Sequence, residues 1–226
     1  MSNKLVKGPT RANFVLSDDN SLLTLFGRNR AWAASKTLTD PRFFDRLVDQ
    51  QRPRYFWIGC SDSRVPATEI VNLDPGEMFV HRNVANLASA SDQSFSAALQ
   101  FAVDVLRVQH IMVVGHYGCG GIEAAMNVDS EDAIGHWLAP VRTLYRHSCQ
   151  DDSGQLSANA LCEQNIFAQV EALAVNPIVR AAWSQGASLE LHGWIYAIED
   201  GLLRPLCGPV RAPGTTGSSA VPAAPL

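Results

Sequence analysis

Three short apolar runs stand out along the chain: Tyr55 to Gly59, Glu77 to His81 and Ile111 to His116. Each is bounded by turn-forming residues and is too short for a helix, so each is predicted as a short apolar strand. Between the last two, Phe95, Leu99, Ala102, Val103 and Leu106 recur at i, i+4, i+7, i+8 and i+11, which is helical spacing. Ser188 to Ile198 alternates, with Leu189, Leu191, Ile195 and Ala197 against Glu190, His192, Trp194 and Tyr196, as a strand does. Helices are expected over Ser21 to Lys36, from Asp40-Pro41, over Asp132 to His147, over Ser157 to Ala174, and from Pro177 to near Gly186. Strands that alternate with helices need crossover connections, so the expected class is α/β, a mostly parallel central sheet flanked by helices.

The ends of the chain read differently. Residues 1 to 20 look like an arm, and PVRAPGTTGSSAVPAAPL, from Pro209 onward, with four prolines and one charged residue, cannot bury a core segment. One domain over 1 to 208, N-terminal helical arm included, and a flexible tail over 209 to 226 are therefore expected. The 226 residues are 46% hydrophobic and 18% charged, with a net charge of -4. A chain of this size buries roughly 70% of its unfolded surface, so it needs no metal merely to hold a core, and any metal would serve chemistry. The mild acidity gives no footprint for nucleic acid or an anionic membrane, and no apolar run approaches the roughly 18 residues that would span a bilayer. Five widely spaced cysteines point to free or metal-bound thiols in a reducing compartment, hence a cytoplasmic protein, with a mitochondrial presequence as the alternative for the N-terminus.

Chemistry concentrates where two predicted strands run out into loops: Ile58-Gly59-Cys60-Ser61-Asp62-Ser63-Arg64, and Val113-Val114-Gly115-His116-Tyr117-Gly118-Cys119-Gly120-Gly121. Ligands usually bind at the carboxyl ends of α/β strands. Cys60, His116 and Cys119 offer two thiolates and an imidazole, a suitable zinc shell whose fourth position stays open, as catalytic zinc requires. Cys119 opens a predicted helix, whose dipole favours the thiolate. Asp62 either supplies a fourth zinc bond or pairs with Arg64 and accepts a hydrogen bond from a proton-bearing group at the metal; the plain alternative is a turn cap beside a surface charge.

CSDSR at 60 to 64, PGEMFVHRNVAN at 75 to 86 and GHYGCGG at 115 to 121 are the motifs of a known family, in its order and approximate spacing. The chain resembles the β-class carbonic anhydrases from about Leu22 to Leu206. The resemblance implies that Cys60, His116 and Cys119 hold one zinc ion per subunit. It makes Asp62 and Arg64 a dyad that steadies zinc-bound hydroxide in the open state, Asp62 replacing the water as fourth ligand in the closed state. The implied reaction is reversible hydration of carbon dioxide to bicarbonate and a proton, and the implied assembly is a homodimer or a dimer of dimers. Some bacterial-type members bind bicarbonate away from zinc through Trp, Arg and Tyr. Trp57, Arg82 and Tyr196 stand at the matching places, which implies allosteric inhibition. After Cys207 the chain departs from the family pattern, running into the Pro/Ala-rich segment where members continue into a helix. Two rival readings of the same donors are hydrolysis of carbon disulfide or carbonyl sulfide, and a noncatalytic zinc protein; His81 and Asn83 read as structural, and His110, His136, His147 and His192 as surface or core residues.

Overall fold

A computed structural model describes residues 22–48, 50–127, 130–149 and 156–214. The expected arm over 1 to 20 and residues 215–226 of the expected tail lie outside the described residues. The chain divides into two compact units, one up to Asp49 and one from Gln50.

In the first unit, α1 (Leu22–Thr39) forms as expected, with Leu22, Leu23, Leu25, Phe26 and Leu38 exposed. The helix expected from Asp40-Pro41 is instead a turn, in which the Asp40 carboxylate accepts the Arg42 amide, followed by the short α2 (Asp45–Val48).

The second unit is α/β. Strands β1 (Tyr55–Cys60), β2 (Met78–Asn83), β3 (His110–His116), β4 (Glu190–Ala197) and β5 (Leu202–Val210) make one five-stranded sheet, ordered β2-β1-β3-β4-β5. The first four pair in parallel and β5 runs antiparallel to β4. The helices are α3 (Ala67–Ile70), α4 (Gln93–Gln100), α5 (Gly120–Asn127), α6 (Ala133–Trp137), α7 (Ala139–Ser148), α8 (Ala158–Ala174) and α9 (Pro177–Ser184).

β1 and β3 are buried almost throughout, which is why each reads as an unbroken apolar run rather than an alternation. One face, bearing Phe56, Ile58, Ile111, Val113, Leu191 and Ile195, packs into the main core with apolar residues of α4, α8 and α9. On the other face Trp57, Met112, Val114 and Tyr196 gather with Val65 and Ala67. From β1 the chain adds β2 on one side and β3 on the other, so the strand order reverses between β1 and β3. In an open α/β sheet that reversal opens a crevice at the carboxyl ends of the strands, where ligands bind.

Three differences from the sequence expectation have local causes. The helical pattern from Asp132 to His147 breaks at Leu138 into α6 and α7, because Pro140 removes a donor and disfavours helical backbone before it. The stripe ending at Leu106 holds, but its last turn widens into a π-helix over Phe101–Val105. Strand β5 was not expected, and its last residues, Pro209 and Val210, fall in the segment read as a tail; prolines are tolerated in an edge strand. It carries the ordered chain past 208, and Arg211 donates from Nε to Glu190 Oε1 at 2.7 Å.

Helix α8 lies against β3 and β4 because two strand positions lack side chains. A Cβ at Gly115 would sit 2.8 Å from Ile166 Cδ1, and one at Gly193 would sit 2.6 Å from Cys207 Sγ and 2.8 Å from Ile166 Cγ2. Gly193→Ala should therefore cost about 1–3 kcal/mol through overpacking, read as a lowered melting temperature; an unchanged melt would show that the helix relaxes away freely.

Candidate metal centre

β1 delivers Cys60 and β3 delivers His116 to the crevice between them, with side chains 5% and 0% exposed. The chain then turns through Gly118, whose φ of +64° is the left-handed region that glycine occupies freely. Cys119 follows just ahead of α5, its carbonyl accepting the Glu123 amide at 3.0 Å. One donor atom from each of Cys60, His116 and Cys119 lies within 4.8 Å of the others. The two sulfurs are 3.8 Å apart. Two zinc–sulfur bonds of about 2.3 Å at a tetrahedral angle span about 3.8 Å, so the thiols stand at zinc spacing.

The imidazole is oriented for the same task. His116 Nδ1 is 3.1 Å from the Tyr117 carbonyl, to which it donates, leaving the lone pair on Nε2. Nε2 is buried and has no hydrogen-bond partner. Buried polar atoms in native proteins almost always have partners, and a cation between Nε2 and the sulfurs would supply one. The hydrogen bond from Cys119 holds the Cys60 thiol well below its ordinary pKa, against burial, and amides of Asp62 and Ala85 help; Cys119 is pushed up by Cys60 and then by burial. A metal bound between the sulfurs would favour both as thiolates.

Beside the thiols, Asp62 is gripped by Arg64. Oδ1 accepts the Arg64 amide and Nε, both at 2.9 Å, and Oδ2 accepts Nη2 at 2.6 Å. The guanidinium, by its hydrogen bond above all, holds the Asp62 carboxyl far below the usual carboxylate range. Arg64 also donates to the Gly118 carbonyl at 3.2 Å, tying the loop of β1 to the loop of β3. Asp62 Oδ2 lies 3.7 Å from His116 Nε2. Asp62 also shapes the turn, its carboxylate accepting the Arg64 amide and its carbonyl the Val65 amide, but Arg64 is more than a surface charge, being bound to both Asp62 and Gly118.

Supports for this centre went unread in the sequence. Arg82 donates from Nε to the Cys60 carbonyl at 2.8 Å and from Nη2 to the Asp62 carbonyl at 2.5 Å, so it buttresses the ligand loop. Ala85, fully buried, has a φ of +66°, and its carbonyl accepts from Asn165 Nδ2 of α8 at 2.9 Å. Asn165 in turn accepts from Gln169, whose own Oε1 takes the Ala88 amide. A polar residue facing inward from an otherwise apolar helix stripe was the only signal for this network.

The sequence profile of the carbonic anhydrase family matches residues 55–203. A carbonic anhydrase of Emericella nidulans is 40% identical over 188 residues, covering 80% of this chain and 82% of its own. One from Pseudomonas aeruginosa is 35% identical, covering 75% and 80%. The chain belongs to the β-class carbonic anhydrases. A Coccomyxa β-carbonic anhydrase, solved with acetazolamide, superposes with a TM-score of 0.81 at 36% identity, covering 85% of this chain and 89% of that one. A structure from work on two tetrameric β-carbonic anhydrases of Sordaria macrospora gives 0.77 at 36% identity, covering 83% and 98%.

Within this β-class chain the remaining candidates sort by position. Strand register puts Trp57, Arg82 and Tyr196 on the same face of the sheet. Trp57 and Tyr196 share the smaller apolar cluster, and Trp57 Nε1 is buried without a hydrogen-bond partner. Asn83 is structural, exchanging hydrogen bonds with the Leu87 backbone, and His81 lies beside it. Cys162 and Cys207 are buried free thiols whose pKa values burial raises to about 12 and about 11. His110 and His192, read as surface or core residues, converge on Glu190.

Cobalt bound at the cysteine pair should give an intense sulfur-to-metal absorption whose intensity per bound cobalt falls to about half, or is lost with the metal, in Cys119→Ser. A Cys119→Ser protein that binds cobalt with the parent's full intensity would remove Cys119 from the ligand set.

Proposed function

We propose that the chain catalyses the reversible, zinc-dependent hydration of carbon dioxide to bicarbonate and a proton, with Cys60, His116 and Cys119 as metal ligands and Asp62 with Arg64 as the gating dyad. The observation that carries this reading is the pairing of a buried, zinc-spaced thiol couple and an unpartnered imidazole with a carboxylate held just outside them. Bound there, zinc would lower the pKa of water to about 7 and so supply a nucleophile at neutral pH.

The chain's own groups do the rest. His116 keeps its lone pair on Nε2 because the Tyr117 carbonyl takes its other ring proton. Asp62, kept ionised by Arg64, can only accept hydrogen bonds, so it orients a proton-bearing group in the open position. Arg64 keeps that carboxylate from the metal position; freed of Arg64, Asp62 can turn inward as fourth ligand, which closes the site. A reducing compartment such as the cytoplasm, where thiols remain free, is the setting we propose. Self-association as at least a dimer is supported by the exposed apolar residues of α1 and by the tetrameric Sordaria macrospora relatives, and sedimentation equilibrium is its check.

The zinc-loaded protein should hydrate carbon dioxide in stopped flow near neutral pH, and Asp62→Asn should keep its metal yet lose about 100-fold in turnover. Full activity in Asp62→Asn would remove the dyad from the mechanism. A zinc-loaded parent inert toward carbon dioxide but active on carbonyl sulfide or carbon disulfide would move the assignment to the rival hydrolase.

We also infer that bicarbonate binds at Trp57, Arg82 and Tyr196 and inhibits. The buried, unpartnered Trp57 donor, on the sheet face that also carries Arg82, supports capture of a planar anion. Arg82 holds the carbonyls of Cys60 and Asp62, so an anion drawing on Arg82 acts on the loop that carries the dyad. Such a ligand shifts the open and closed states only by its differential affinity for them. Trp57→Phe should weaken inhibition by added bicarbonate, and inhibition curves identical to the parent's would eliminate this site.

A further inference from the structure

At the end of the sheet remote from the thiols, the first residues of β3 and β4 meet. His110 opens β3 and His116 closes it, so the two ends are separated by about 20 Å of strand. His110 pairs in register with Glu190, and His192 lies two residues further along β4, hence on the same face. His110 Nδ1 is 3.2 Å from His192 Nε2 and 3.3 Å from Glu190 Oε2, and His192 Nε2 is 3.6 Å from the same Oε2. Three donor atoms thus form a triangle with nearly equal edges. Zinc–nitrogen and zinc–oxygen bonds of about 2.0 to 2.2 Å at tetrahedral angles set neighbouring ligand atoms about 3.3 to 3.6 Å apart, which is the size of this triangle.

Hydrogen bonding alone accounts poorly for the convergence. With a proton on each facing nitrogen, both rings can turn toward Glu190 Oε2, but at 3.3 and 3.6 Å the contacts are long for hydrogen bonds and the two N–H groups then face each other across 3.2 Å. A cation at the centre satisfies all three at once.

The surroundings fix these groups in place. Glu190 divides its carboxylate: Oε1 accepts Arg211 Nε at 2.7 Å and lies 2.6 Å from Arg211 Nη2, while Oε2 faces the imidazoles. Holding the far oxygen of a ligating carboxylate is how outer groups orient metal ligands. The Tyr55 ring stacks on His110 with centroids 5.7 Å apart, and the Trp194 ring lies 5.8 Å from that of His192. The three side chains are 27%, 22% and 15% exposed, so an ion can enter from solvent and keep water on its remaining positions.

We propose that His110, Glu190 and His192 form a second metal site, independent of the cysteine centre, for a late first-row divalent cation of the zinc or copper(II) kind. Two imidazoles with one carboxylate suit those ions. The site ties the start of β3 to the start of β4 and, through Arg211, to the segment after β5. An ion that binds only the folded chain stabilises it by mass action.

The test uses untagged protein already loaded with zinc at the cysteines. Equilibrium dialysis against added zinc should reach two ions per chain in the parent. His110→Asn and His192→Asn should each weaken the second ion by at least about 10-fold while keeping the first. One equivalent of copper(II) added to the zinc-loaded parent should give an electron paramagnetic resonance spectrum with splitting from imidazole nitrogen, a reading that needs no variant to fold. Saturation of the parent at one ion, a second ion held equally well by both variants, or a copper spectrum without nitrogen splitting would each overturn the proposal.

Discussion

Two thiols and an imidazole drawn together out of water form an arrangement that a protein without a metal would be expected to avoid. Removing an anionic sulfur from water is costly, and a buried ring nitrogen with no partner adds a further penalty, typically about 1–3 kcal/mol for such a group. The chain accepts both at the single place where its strand order reverses, between β1 and β3. Much of what surrounds the crevice can be understood as holding these three groups at a separation a small cation can bridge.

That holding is done largely by backbone and by uncharged amides. Ala85 occupies left-handed backbone, a conformation that costs an L-residue about 1 kcal/mol or more, and its amide reaches the Cys60 sulfur. Asn165, 1% exposed on α8, secures the Ala85 carbonyl, and α8 itself can approach only because Gly115 and Gly193 clear its path. Arg82 and Arg64 then fix the loop from above, one through carbonyls and the other through the Asp62 carboxylate. The geometry of the three groups therefore depends on residues spread over β2, β3, β4 and α8 as much as on the cysteines.

How much of this could be read beforehand follows from what each signal depends on. β1 and β3 were legible because a strand buried on both faces leaves a short, unbroken apolar run, and Cys60, His116 and Cys119 were legible because they stand at the ends of those runs or in the glycine turn just beyond. The break at Leu138 was visible only in Pro140, and the periodicity around it was strong enough to mask it. β5 was missed because Pro205 and Pro209 argue against a strand wherever both edges are paired, and no local feature says that a strand will be an edge. His110, Glu190 and His192 were seen as separate residues because only the register of β3 on β4 makes them neighbours, and register is a property of the whole sheet. Asn165 and Ala85 act through a contact that spans 80 positions of chain.

The same prolines have a consequence for the molecule as an object in a crowded solution. A bare sheet edge is a template on which other chains can polymerise. On the β5 side, Pro205 and Pro209 remove amide donors and Gly208 disrupts regularity, so the ladder offers a poor docking rail to a stray strand. With that margin blunted, growth of the sheet by strand addition is discouraged there.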